Sequence, residues 1–158
     1  MLGTSIAAIH SGIHAETVHV EADVTGGFPR FAIVGLPDSA VRESKLRIRS
    51  AFRNARLQFP QGRITVNLMP ANFRKHGSGL DLAIAIAILR ASGQLPPDDG
   101  TCAFLAELQL SGNLAPVECA TGLALHLLAL VCAAPFCQVI RQCPPHCSII
   151  SPSLSPIV

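Results

Sequence analysis

Tryptophan and tyrosine are both missing from this chain of 158 residues, and aromatic side chains make up only 4% of it. Surfaces that bind single-stranded nucleic acid by stacking interleave aromatic rings with cations. No such interleaving is visible along the sequence, which argues against base stacking. No Gly-Lys pair occurs either, so the phosphate loop of P-loop ATPases is absent and the chain alone cannot be that kind of enzyme. A CxxC pair is also wanting. Cys132, Cys137, Cys143 and Cys147, with His146 among them, have irregular gaps that match zinc-ligand spacing poorly, and unpaired thiols are the simpler reading. His10, His14, His19, His76 and His126 form no helical or hairpin ligand pair, so no metal site is expected.

Charge is scarce as well. Charged residues are 14% of the chain against 49% hydrophobic, with a formal net charge of +2. These values describe a globular chain with a core, one domain by default, and their balance does not mark a nucleic-acid binder. Position matters more than the sum. All 10 acidic residues and all but one of the 12 Lys/Arg precede residue 119, and beyond Glu118 the only charged side chain is Arg141. Five of the 6 cysteines and the stretch PPHCSIISPSLSPIV lie in that second part. The expected organisation is a domain over residues 1–118 and a divergent, apolar, Cys/Pro-rich tail over 119–158. The N-terminal MLGTSIAAIHSGIHAE lacks a basic region ahead of an apolar core and cleavage site, so no secretory signal is expected and the chain is placed in the cytoplasm. The uncharged run 119–140 has the length of a membrane span, but it contains His126, Pro135 and Gln138 and has no flanking aromatic anchors. A buried helix over GLALHLLALVCAA is the reading adopted, and no membrane contact is expected.

Residues 16–24, ETVHVEADV, alternate with Val18, Val20, Ala22 and Val24 on one face, the period of a half-buried strand. After the turn at Gly26-Gly27, FPRFAIVGL is a second strand, expected to pair with the first as a hairpin. Asp38 or Ser39 can cap a helix, with Pro37 in its first turn. From Ser39 to Leu57 the apolar positions Val41, Ile48, Ala51, Phe52 and Ala55 form one stripe. Arg42, Lys45, Arg49, Arg53 and Arg56 form a second row at intervals of three and four. RITVNLMP is another strand, LDLAIAIAILRASG an apolar helix, and CAFLAEL and NLAPVE short strands around Ser111-Gly112. The order predicts an α+β fold, a sheet with packed helices.

Two constellations could carry function. The cationic row can contact phosphates, in which case binding weakens with salt, or it is the solvated face of an amphipathic helix. The stretch Arg74, Lys75, Gly77, Ser78 and Gly79 opens a helix, so its backbone N–H groups and two cations could hold an anion; turn glycines and a capping serine explain it equally. Ser78 as a nucleophile would need a base from His76, Lys75 or Lys45, and no spacing selects one.

Together the motifs GLPDSAVRESKLRIRSA, RITVNLMPA, GSGLDLAIAI and FLAELQLSGNLAPV, in this order, closely resemble the N-terminal domain of the magnesium-chelatase-like AAA+ ATPases of the YifB/ComM family. The match spans about residues 3–117. The resemblance implies a bacterial protein with a ribosomal protein S5 domain 2-like fold. In that family the domain precedes an ATPase module that uses ATP and Mg, forms hexameric rings and, in ComM-type members, drives DNA branch migration during natural transformation. Neither cofactor is expected in this chain, which lacks the module. DNA and a second copy of the chain are the partners the resemblance implies, with the row at Arg42, Lys45, Arg49, Arg53 and Arg56 as the contact. The same fold in Lon-type proteases carries a Ser-Lys dyad, whose positions correspond here to Gly79 and Thr121, so no peptidase activity is expected. Past Val117 the family pattern stops, with Glu118-Cys119 in place of an Arg-Gly pair; a truncation or change of reading frame near codon 118 is the expectation. A stand-alone DNA-binding module and a phosphate enzyme of GHMP-kinase-like fold using Gly77-Ser78-Gly79 are the alternatives.

Overall fold

A computed structural model describes residues 1–11, 14–97 and 102–133, with backbone alone over 128–133. The chain runs β1 (Leu2–Ser11), β2 (His14–Thr25), β3 (Arg30–Val34), α1 (Ser39–Asn54), β4 (Arg63–Met69), α2 (Asp81–Ala91), β5 (Glu107–Leu108), β6 (Leu114–Ala115) and α3 (Ala120–Ala133). A four-stranded sheet has the order β1-β2-β4-β3, and β5 with β6 forms a small antiparallel ribbon. This is a mixed sheet with helices packed on it, an α+β arrangement.

Two expectations about the sheet are corrected. The first strand is β1, which the alternation at 16–24 does not reveal. Its inward residues include Gly3, Ser5 and Ala7, too small and too polar to read as a core face, and they are small because α2 lies directly on them. A Cβ at Gly3 would collide with the Ala87 carbonyl oxygen and the Ala91 nitrogen. Ser5 Oγ donates to the Ala83 carbonyl at 2.7 Å, so its burial leaves no unpaired hydroxyl. The second correction is the hairpin. β2 pairs antiparallel with β1 and β4, whereas β3 pairs parallel with β4, Arg30 beside Arg63 and Ile33 beside Val66. A parallel pair needs a crossover, and α1 supplies it.

The amphipathic stripe places α1 as expected: Val41, Ile48, Ala51 and Phe52 are buried. Asp38 is its N-cap, its Oδ1 accepting from the Val41 N–H at 2.8 Å, so Pro37 stands just outside the helix rather than in its first turn. The helix ends at Asn54, short of Leu57. Arg56 takes φ 58°, and the Leu57 N–H reaches the Phe52 carbonyl at 2.9 Å while the Arg56 N–H reaches that of Arg53 at 3.2 Å, a Schellman closure with arginine where glycine is usual. Every residue of α2 except Arg90 is buried, between β1 and β2 on one side and α1 on the other.

Helix α3 docks on the opposite face of the sheet. Ser5 registers with Val20 on the α2 side, so Ala8 and Thr17, of the other parity, face away from α2. Thr17 Oγ1 lies 3.3 Å from His126 Nε2, and Leu123 is buried there, while Leu125 is 61% exposed. The helix read as buried is thus covered on one side over the residues whose side chains are described. Of the tail, residues 134–158 lie outside the described residues, as do the thiols of Cys137, Cys143 and Cys147 and the His146 ring. Among the described residues no helix is long and apolar enough to cross a membrane.

Candidate nucleic-acid interface

The periodicity that buries Val41, Ile48 and Phe52 turns the cationic row of α1 outward. Arg42, Arg49, Arg53 and Arg56 are exposed or nearly so and Lys45 is half-buried. Arg56 belongs to the turn after the helix and extends the row past its end. Among the described residues the ion pairs are Met1 with Asp23 and Arg47 with Asp81, so none of these five cations has a carboxylate within 4.0 Å.

Two of them lie on aromatic rings that the sequence does not place beside them. Lys45 Nζ sits 6.0 Å from the Phe31 centroid, and Arg49 Cζ sits 5.8 Å from that of Phe59. Phe31 comes from β3 and Phe59 from the segment between α1 and β4. Their centroids are 6.1 Å apart, and Phe59 also meets buried Phe52 edge-on at 5.4 Å. The sequence interleaves no aromatic with the cations; the rings beside them arrive from other elements. Sequence reasoning also missed Arg30 and Arg63. Each opens a strand, and the parallel register sets them side by side, an arrangement of like charges that costs stability unless something screens it. The signal was an arginine at the head of both FPRFAIV and GRITV, unreadable without the register.

The Arg74–Gly79 loop is different. Arg74 is exposed, but Lys75, expected to add charge to an anion site, is wholly buried. Its Nζ donates to the Pro70 and Phe73 carbonyls and lies 4.2 Å from the Phe73 ring centroid; burial pushes its pKa down. Its backbone joins the Leu36–Asp38 segment through two hydrogen bonds. Ser78 does not cap α2: Leu80 is the N-cap position of the helix, and the Ser78 hydroxyl donates to the Glu107 carboxylate, not to His76, Lys75 or Lys45. Asp38 Oδ2 accepts from the Gly77 N–H at 3.4 Å. Two carboxylates of the chain itself thus stand where an anion would bind, and the loop does not fit a nucleotide phosphate.

One arginine of α1 has a purely internal partner. Arg47 holds Asp81 with two bonds, Nε to Oδ2 at 2.6 Å and Nη2 to Oδ1 at 3.0 Å, and Asp81 Oδ2 also accepts from the Leu108 N–H at 3.3 Å. Burial pushes the Asp81 carboxyl up while Arg47 and Leu108 pull it down; the same bond raises Arg47. This cluster ties α1, α2 and β5 together. Among the described residues no group of three His, Cys, Asp or Glu could hold a metal ion.

The family model described as subunit ChlI of Mg-chelatase matches residues 20–134, well over half of the chain. The chain belongs to that family. Within it the chain is similar to competence protein ComM of Haemophilus influenzae, 44% identical over 119 residues, covering 72% of this chain and 23% of ComM. It is also similar to YifB of Escherichia coli, 40% identical over 115 residues, covering 70% and 22%, and to an uncharacterized protein of Mycobacterium tuberculosis, 40% identical over 119 residues, covering 74% and 24%. It is a ComM/YifB-like member that spans about a quarter of the length of these relatives. The match to the family model extends through α3.

Proposed function

We propose that this chain is the N-terminal accessory domain of a ComM/YifB-type AAA+ protein, with the ribosomal protein S5 domain 2-like fold. It works without chemistry of its own and contacts DNA through the cationic face of α1. One observation carries the reading: Arg42, Lys45, Arg49, Arg53 and Arg56 lie along one outward row with no carboxylate within ion-pair distance among the described residues. Arg30 and Arg63 add charge at the heads of β3 and β4. A phosphate backbone offers such a row many weak contacts, each releasing a counterion. ATP, Mg and hydrolysis belong to the ATPase module of full-length relatives, and with them the cytoplasmic, ring-forming helicase role in transformation. The exposed Leu46, 71% accessible within the same row, favours a neighbouring subunit as the second reading.

The test is a titration of single-stranded DNA against salt with the 158-residue chain. Affinity falls steeply with salt, and Arg49→Ala with Arg53→Ala lowers the logarithmic slope by about 0.7 for each phosphate no longer neutralised. Absence of binding at low salt, or no weakening in the double variant, leaves the row a solvated face.

A further inference from the structure

We infer that the face has a base-stacking groove that selects single-stranded over double-stranded nucleic acid. The inference rests on the DNA-binding reading above and adds a site to it. The groove lies between β3 and the segment leading into β4, lined by Pro29, Phe31, Arg49, Phe59, Pro60 and Ile64, with Arg30 at its edge. Its floor is rigid. Phe59 is held edge-on by Phe52, which is itself 2% exposed, and Phe31 packs beside it.

Arg49 is exposed, and its Cζ lies 5.8 Å from the Phe59 centroid, so its guanidinium stands beside a ring that lines the groove. A planar cation beside an aromatic ring is a platform on which a base stacks. Phe28 offers a second platform. Phe28 adjoins Pro29 in the chain and is 92% exposed, more than any other large apolar side chain among the described residues. Exposed phenyl, exposed guanidinium and a surrounding excess of cations match unstacked bases on a phosphate backbone. Duplex DNA offers only the phosphates, because its bases are already stacked on one another. An acidic protein segment would satisfy the cations without using the guanidinium face.

The experiment separates the groove from the cationic row. The 158-residue chain is titrated with a single strand of about 20 nucleotides carrying one 2-aminopurine, longer than the ~4–16 nucleotides such a groove tracks, and with its duplex. Phe28→Ala, at an exposed position that the core does not need, weakens single-strand binding about fivefold or more and reduces the 2-aminopurine quench, with the salt slope unchanged. Arg49→Lys keeps the charge, so it keeps the slope but also loses quench. Duplex binding is unaffected by Phe28→Ala. If strand and duplex bind equally and both variants match the parent, the groove is overturned while the DNA-binding reading stands. If neither binds at low salt, both fall. A change of oligomeric state in the variants, without a change in DNA affinity, assigns the groove to a protein contact and overturns the inference.

Discussion

Arg56 holds a left-handed backbone, φ 58°, to close α1, in a place where glycine adopts the same angle without a Cβ penalty. Arg56→Gly is therefore expected to raise stability by about 0.5–1 kcal/mol, read from chemical denaturation, while lowering the salt slope of DNA binding by about 0.7. A stabilised variant with an unchanged slope would remove Arg56 from the interface. Lys75 makes the opposite case at the same scale. Its place next to Arg74 and ahead of Gly77 reads as one more surface cation, yet its ammonium is turned inward onto two carbonyls. Charge type was legible in both; the direction of the side chain was not, because it depends on a bridge to Pro37 far away in the chain.

Elements followed the sequence where their periodicity answers to burial. The apolar stripe of α1, the alternation of β2 and β4 and the unbroken apolar run of α2 each map onto observed burial, since one residue in the wrong register would expose the whole face. β1 escaped because close packing against a helix backbone selects small residues, which carry no hydrophobic signal. Gly3→Ala is expected to destabilise the protein by about 1–3 kcal/mol, seen as a lowered denaturation midpoint with unchanged m-value. A neutral outcome would mean that α2 does not press on β1. The β2–β3 hairpin failed for another reason: the Gly26-Gly27 turn permits a hairpin, but β4 takes the place beside β2 and leaves β3 at the edge.

At the scale of the molecule, the Arg47–Asp81 pair decides whether α1, α2 and β5 hold as one body. Asp81 is 1% exposed, so Arg47→Ala strands a buried carboxylate and is expected to cost about 3–5 kcal/mol in denaturant unfolding. A loss below about 1 kcal/mol would place the pair among weak surface contacts. The sequence by itself determined the α+β class, the family motifs, the outward cationic row and the lack of a phosphate loop, because residue type and spacing within one element carry each of these. Only the tertiary structure decided the parallel pairing of β3 with β4, the burial of Lys75, the carboxylates facing Gly77 and Ser78, and the rings beneath Lys45 and Arg49. Those depend on which distant segments meet, and local spacing holds no record of a partner that arrives from elsewhere in the chain.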